Sequence, residues 1–316
     1  MILDIGLLLI GFVVLIKGAD WLVVGASSLA RKKNVSDLAI GLTVVAFGTS
    51  APELVVNVFA AIQSHQDIAF GNVIGSNNFN LFVILGIAGL VTPLAVHSTT
   101  VYREIPLSLF AVVLLFFLAN DFFLSDKLIL SRVDGLVLLA MFAMFLLYVK
   151  NQLRTDIPEP EEPHRQYTNL KIWGLILIGL IGLVAGGRLV VESAISIATE
   201  FGISEKIIGL TIVAAGTSLP ELATSVVAAI KKNNDIAVGN IIGSNIFNIF
   251  LILGVSSVIN PLQYDRSFNS EIYFLAIGTI ALFVLMFTGV RKKLDRWEAA
   301  ILLSAYIFYT VLFVVR

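Results

Sequence analysis

Two glutamates occupy equivalent places in a repeated polar motif. Gly48–Glu53 reads GTSAPE, and 168 residues later Gly216–Glu221 reads GTSLPE. Each copy interrupts a hydrophobic stretch long enough to cross a bilayer. A carboxylate at membrane depth costs at least about 2.5 to 3.5 kcal/mol, so its presence at two equivalent places requires a purpose. The pattern predicts that these glutamates bind a cation.

The residues beside each glutamate supply further oxygen ligands. Glycine and proline disfavour a continuous helix, so we expect the backbone carbonyls near Ala46 and Phe47 to lack hydrogen-bond donors. Thr49 precedes Glu53 by four residues, which places both side chains on one face of a helix. Such carboxylate, hydroxyl and carbonyl oxygens suit calcium, sodium or magnesium better than transition metals.

A second repeated element adds neutral oxygens. GNVIGSNNFN ends at Asn80, and its counterpart GNIIGSNIFN ends at Asn248. Ser76 lies four residues before Asn80, as Ser244 does before Asn248, so each half gains a polar stripe along one helix face. We expect these four side chains to line an ion pocket.

Structural alternatives apply to both elements. Ser50 and Ser218 each precede a glutamate by three residues, which is the spacing of a helix capping box. The glycines of the second element, with Asn72 and Asn240, are equally typical of close helix packing in membranes.

The composition of the chain indicates whether it folds in water or in a membrane. Hydrophobic residues make up 58% of it and charged residues 14%, against about 25% in a soluble domain. The apolar runs do not alternate like strands, so an all-α integral membrane protein is predicted. The chain has no cysteine, and its three histidines, at positions 65, 97 and 164, fall in predicted loops or the linker, which weakens a zinc or copper interpretation. The net charge of -1 gives no sign of nucleic-acid binding.

Windows of about 20 apolar residues predict ten membrane spans. The first reads as a retained helix rather than a signal peptide, because it has no basic start and no cleavage pattern. A linker rich in proline and glutamate separates five spans from five. The approximate spans are 2–30, 37–63, 67–92, 103–120, 127–150, 169–199, 205–230, 235–259, 271–290 and 295–315.

The two sets of five spans are repeats of one another. Residues 40–86 align without a gap on 208–254, with 31 identities over 47 positions. Because each unit has an odd number of spans, the second must enter the membrane from the opposite side, as in inverted-topology transporters. The predicted organisation is a first five-helix repeat at 1–150, a linker at 151–168 and a second repeat at 169–316, with helices 2 and 7 discontinuous.

Loop charges predict the orientation. With the N-terminus outside, 14 Lys and Arg residues face inward and five face outward, and such residues prefer the cytoplasmic side. We therefore expect both termini to be extracytoplasmic and the linker cytoplasmic, in a plasma or cell inner membrane. Asp20 and Arg188 align between the first and sixth spans; they either pair across the two helices or are hydrated near an interface.

The doubled motifs resemble the two alpha repeats of the calcium/cation antiporter superfamily, closest in style to prokaryotic sodium/calcium exchangers. The resemblance covers nearly the whole chain. It implies ten transmembrane helices, and ion sites formed by broken helices 2 and 7 against helices 3 and 8. It also implies transported calcium and sodium ions and no catalytic activity.

Carried over by position, the resemblance implies two sets of ligands. The calcium ligands are Glu53, Glu221, Thr49 and Thr217. The sodium sites are lined by Ser50, Ser218, Ser76, Ser244, Asn80, Asn248, the carbonyls of Ala46 and Ala214, and the same two glutamates. Some relatives, including potassium-dependent exchangers, have aspartate at the position of Asn248, so the resemblance leans toward potassium-independent exchange. No cofactor or obligate protein partner is expected beside the ions and the lipid bilayer.

Other functions use the same residues differently. A proton/calcium antiporter would protonate the two glutamates in place of binding sodium, and it is the first alternative. A channel is disfavoured because inverted repeats with discontinuous helices are typical of alternating access. An intramembrane acid protease would leave the hydroxyl and amide ligands unexplained.

Overall fold

The computed structural model describes residues 2–120, 128–152, 167–201, 214–289 and 291–315. The first half contains, in chain order, α1 (Ile2–Lys33), α2 (Asp37–Thr49), α3 (Ala51–Ile62), α4 (Gln66–Val91), β1 (Leu94–Ala95), α5 (Thr100–Ala119), β2 (Ile129–Leu130) and α6 (Arg132–Gln152). The second half contains α7 (Asn169–Glu200), α8 (Ala214–Gly216), α9 (Leu219–Ile230), α10 (Asn234–Ile259), β3 (Leu262–Gln263), α11 (Asn269–Leu285), β4 (Lys293–Leu294) and α12 (Arg296–Val315).

The helices confirm the predicted class of an all-α, multi-pass membrane protein. Among the described residues, seven helices are long and apolar enough to cross a membrane, and the bent pair α2–α3 makes an eighth if it counts as one span. Most of the predicted linker, and residues 205–213 of the predicted seventh span, lie outside the described residues. The ten-helix arrangement therefore stays a prediction.

The predicted interruption of the second span is confirmed at Ser50. There α2 and α3 meet at an angle of 49°, and Ser50 has φ -82° and ψ 5°. Pro52 lies in the first turn of α3, where a missing N–H breaks no helical hydrogen bond. The second motif adopts the same geometry, because Ser218 has φ -88° and ψ 5° and Pro220 lies in the first turn of α9. The GTSxPE motif thus starts a new helix in both halves.

The two longest helices, α1 and α7, approach each other backbone to backbone. A Cβ placed on Gly18 of α1 would lie 2.7 Å from the backbone nitrogen of Leu183 in α7. One placed on Gly186 of α7 would lie 2.5 Å from the backbone nitrogen of Leu15 in α1. Small residues allow such contact between membrane helices, so the glycines of the first and sixth predicted spans form a shared face.

Helix α2 of the first half packs closely on α10 of the second. A Cβ on Gly239 would lie 3.0 Å from the carbonyl oxygen of Leu38, and one on Gly243 would lie 2.8 Å from the Cβ of Ala46. Glycine is therefore needed at both positions for the helices to meet, which supports the packing interpretation there. Gly75 differs, since among the described residues no atom of another helix lies within 4 Å of its added Cβ.

Two short antiparallel ladders tie the ends of the halves together. Leu94 of β1 pairs with Leu294 of β4, and Leu130 of β2 pairs with Leu262 of β3. All four leucines are buried. Each ladder thus joins a loop of the first half to a loop of the second.

Candidate cation-binding site

The two glutamates of the repeated motif lie at one buried site between the halves. Glu53 in the first turn of α3 and Glu221 in the first turn of α9 are each 1% exposed. Ser50 donates a hydrogen bond from Oγ to Glu221 Oε1 at 2.9 Å. Ser218 donates one to Glu53 Oε1 at 3.4 Å. Each serine therefore serves the glutamate of the opposite half.

These bonds decide between two interpretations of the serines. Neither Ser50 nor Ser218 makes a side-chain capping bond to the helix that it precedes. The capping interpretation is therefore wrong for both residues. The reason is geometric: with φ and ψ near -85° and 5°, each serine leaves the extended conformation typical of an N-cap and turns its hydroxyl to the other half.

Five of the predicted site residues carry a buried side-chain oxygen that has no hydrogen-bond partner among the described residues. Buried polar atoms are normally paired, so an unpaired oxygen on each of these residues is unusual. Carboxylate, hydroxyl and amide oxygens are ligands for calcium or sodium. These atoms are Glu53 Oε2, Glu221 Oε2, Ser76 Oγ, Asn80 Oδ1 and Asn248 Oδ1.

The amide groups at the ends of the second motif are oriented by two residues that the sequence reasoning missed. Asn80 donates from Nδ2 to Asn245 Oδ1 at 3.1 Å, and Asn248 donates from Nδ2 to Asn77 Oδ1 at 3.0 Å. Both amide nitrogens are thereby used, which leaves both Oδ1 atoms as free acceptors. Asn77 and Asn245 are identical in the two repeats, and that identity was the available signal.

Each site threonine contacts an asparagine of the opposite half. Thr49 Oγ1 donates to Asn240 Oδ1 at 3.0 Å, and Thr217 Oγ1 donates to Asn72 Oδ1 at 3.4 Å. Thr49 is 1% exposed and Asn240 is fully buried. Both asparagines therefore contact the site directly, and packing alone does not describe them. Ser244 joins the same site through Glu221 Oε1, at 3.4 Å.

The expectation of a donor-free carbonyl at Ala46 is wrong. This oxygen accepts the backbone N–H of Ser50 at 3.0 Å. A proline at position 52 removes the N–H that would reach residue 48, and leaves that of Ser50 in place. A carbonyl oxygen has a second lone pair, so ion binding by Ala46 stays a prediction. The same holds for Ala214, which begins α8 after the undescribed residues 202–213.

The hypothesis that Asp20 pairs with Arg188 is wrong. Asp20 Oδ1 lies 2.6 Å from Lys231 Nζ, which follows α9. Arg188 Nε lies 2.6 Å from Glu192 Oε1, one turn further along α7, and its side chain is 79% exposed. Each charge thus has a nearer partner of opposite sign.

Similarity to known proteins extends along nearly the whole chain. The sodium/calcium exchanger protein family matches residues 3–150 and 171–315. A putative antiporter, CaxA of Alkalimonas amylolytica, is 41% identical over 315 residues, covering 96% of each chain. The sodium/calcium exchanger MaX1 of Methanosarcina acetivorans is 33% identical over 344 residues, covering 97% of each.

Solved structures of a relative share the fold. A structure of the sodium-calcium exchanger NCX_Mj, soaked with 10 mM Na⁺ and 10 mM Sr²⁺, superposes with a TM-score of 0.83 at 34% identity, covering 98% of both chains. The same exchanger soaked without Na⁺ and Ca²⁺ gives a TM-score of 0.82. The resemblance inferred from the doubled motifs is thereby confirmed, and the chain belongs to the sodium/calcium exchanger protein family.

Proposed function

We propose that this chain is a secondary active antiporter that exchanges sodium for calcium by alternating access. The observation that carries the proposal is the reciprocal contact at the site, where each half's glutamate is held by the other half's serine. An ion bound there contacts both halves at once. Movement of one bundle of helices against the other then changes both the ion's ligands and its access to water.

The charge of each ion decides which ligands are assigned to it. Two ionised glutamates neutralise one divalent cation, so calcium is assigned to Glu53 and Glu221 with the hydroxyls of Thr49 and Thr217. Sodium carries one charge and is satisfied by the same carboxylates together with neutral oxygens. The assigned sodium ligands are Ser50, Ser218, Ser76, Ser244, Asn80, Asn248, Ala46, Ala214, Glu53 and Glu221.

Shared ligands explain why the two fluxes are coupled. Calcium and sodium both require the two carboxylates, so occupation by one excludes the other. When no ion is bound, the two carboxylates are buried without a partner, and a buried unpaired charge costs several kcal/mol per ion. The empty site therefore does not move across the membrane. The protein then exchanges one ion for the other without a leak. Competition at the glutamates is thus the coupling step.

The glycine face between α1 and α7 is suited to the moving layer. Close contact through backbone atoms holds α1 and α7 together as one unit, and in the proposal this pair slides against the rest of the protein. In this arrangement the halves have inverted topology and ten spans, both termini are extracytoplasmic, and the linker at 151–168 is cytoplasmic in a plasma or inner membrane.

Ion-driven uptake tests the proposal. The protein is reconstituted in proteoliposomes, and calcium uptake is measured under an imposed sodium gradient, with the pH gradient and potassium varied separately. We expect uptake to follow sodium and to ignore potassium. Uptake that follows pH and ignores sodium would instead establish proton/calcium exchange by the same two glutamates.

Substitution of the glutamates tests the site. Glu53→Gln or Glu221→Gln keeps the shape of the side chain but leaves a divalent cation with one compensating charge. Breaking a buried charge pair costs about 3–5 kcal/mol, so calcium transport should fall by more than about a hundredfold. Glu192→Gln, on an exposed face of α7, is the matched control and should transport normally. Gel filtration checks that each variant is folded. Normal calcium exchange by either folded site variant would refute the assignment.

A further inference from the structure

The hydroxyl of Thr49 has one proton, and at least three oxygen acceptors lie around it. Its Oγ1 lies 3.0 Å from Asn240 Oδ1, 3.1 Å from the carbonyl oxygen of Val45 and 3.3 Å from that of Ala46. A hydroxyl offers one donor and two lone pairs. None of these three neighbours donates a proton, so the bonds use the O–H and leave the lone pairs of Thr49 for another group.

The amide of Asn240 has a fixed orientation. Its Nδ2 donates to Ser225 Oγ at 3.0 Å and to the backbone carbonyl of Glu221 at 3.4 Å. Turning the amide over would place Oδ1 against the carbonyl oxygen of Glu221, and two acceptors repel each other. Because Asn240 is fully buried, water cannot replace the lost donor. Its Oδ1 is therefore held toward Thr49.

The same connections occur in the other half. Asn72 donates from Nδ2 to Asn57 Oδ1 at 2.6 Å and to the backbone carbonyl of Glu53 at 3.5 Å. Its Oδ1 accepts the hydroxyl of Thr217 at 3.4 Å. Each asparagine thus joins the backbone of its own half's glutamate to the threonine of the other half.

We propose that Asn72 and Asn240 are positioning residues that prepare the threonine hydroxyls to bind calcium. A hydroxyl binds a cation through a lone pair, and its proton must then point away from the ion. The asparagine Oδ1 accepts that proton, so the lone pairs of Thr49 and Thr217 are presented to the site. This inference rests on the proposed function, which assigns both threonines to calcium.

A double-mutant cycle on calcium affinity tests the proposal. Binding of ⁴⁵Ca²⁺ to the purified full-length protein is measured at equilibrium without any gradient. Asn240→Leu removes the nearest of the three acceptors of the Thr49 proton and should raise the calcium dissociation constant roughly three- to tenfold. In a Thr49→Val background, where no hydroxyl remains to be oriented, the same substitution should have little further effect. In a Thr49→Ser background, which keeps the hydroxyl, its effect should return.

The cycle separates positioning from packing. If Asn240→Leu weakens calcium binding equally in the Val and Ser backgrounds, the asparagine acts only through packing and the proposal is wrong. The symmetry-related cycle of Asn72 with Thr217 gives the same test if the first set of variants does not fold. Asn120→Leu removes a buried amide that pairs with Asn269 instead, and it should leave the calcium dissociation constant unchanged.

The outcome is distinguishable from failure of sodium/calcium exchange. If the unaltered protein binds calcium and the cycle shows coupling, while a sodium gradient drives no uptake, the positioning inference stands and the exchange proposal falls. If the unaltered protein does not bind calcium, both are wrong.

Discussion

Gly18→Ala tests whether close contact between α1 and α7 is required. The added Cβ would lie 2.7 Å from the backbone nitrogen of Leu183, 2.8 Å from the carbonyl oxygen of Gly179 and 2.9 Å from the carbonyl carbon of Gly182. All three neighbours are backbone atoms, so no rotamer change relieves the overlap. The helices themselves must separate.

The size of the effect follows from these distances. Favourable contact between non-bonded heavy atoms begins at about 3.5 Å, so the backbones must move apart locally by about 0.8 Å. Overpacking of this kind costs about 1–3 kcal/mol. Gly174→Ala is the matched control. Gly174 lies on α7, and among the described residues no atom of another helix falls within 4 Å of its added Cβ. Alanine there should be neutral or stabilising by up to about 1 kcal/mol, through its higher helix propensity.

Two measurements are made on both variants. Thermal unfolding in detergent should shift downward for Gly18→Ala and stay level or rise for Gly174→Ala. The initial rate of calcium uptake in proteoliposomes should fall for Gly18→Ala, because a widened α1–α7 pair no longer fits against the rest of the protein as the pair slides. Equal unfolding temperatures and equal uptake rates for the two variants would refute the close-contact reasoning.

Two further predictions concern single contacts. Ser50→Ala removes a bond to the carboxylate of the opposite half, worth about 1.5–3 kcal/mol, so the half-saturating sodium concentration in exchange assays should rise by about ten- to a hundredfold. Ser28→Ala, whose hydroxyl bonds only its own helix among the described residues, is the control, and an equal rise there would contradict the assignment. Asp20→Asn should lower the free energy of unfolding by at most about 1 kcal/mol, because the pair with Lys231 is partly exposed. Coupling measured by unfolding should link Asp20 to Lys231; coupling to Arg188 instead would show that the pairing in the structure is wrong.

Local residue types made the helix break predictable. Glycine and proline restrict the backbone wherever they occur, so GTSAPE predicts an interruption without any knowledge of the fold. The bend at Ser50 confirms this. The same local reasoning was less reliable for hydrogen bonds, and it misjudged the carbonyl of Ala46, which keeps its bond from the N–H of Ser50.

Partners distant in sequence were not predictable. The spacing of Ser50 and Glu53 suits a capping box, yet the hydroxyl bonds Glu221, which is 171 residues away. Asp20 was matched with Arg188 by symmetry, whereas the structure pairs it with Lys231. Side-chain partners depend on which helices meet and how they are rotated, and spacing within one helix carries no such information.

The membrane class, the family and most residues of the candidate site could be inferred without coordinates. Composition, a constant offset between repeats and doubled polar motifs are all local or periodic properties, and they survive without coordinates. The connections between the halves became visible only in the folded protein: Ser50 with Glu221, Ser218 with Glu53, and Thr49 with Asn240. The physical reason is that a buried polar group takes its partner from whatever element packs against it. That contact exists only once the helices of both halves have come together.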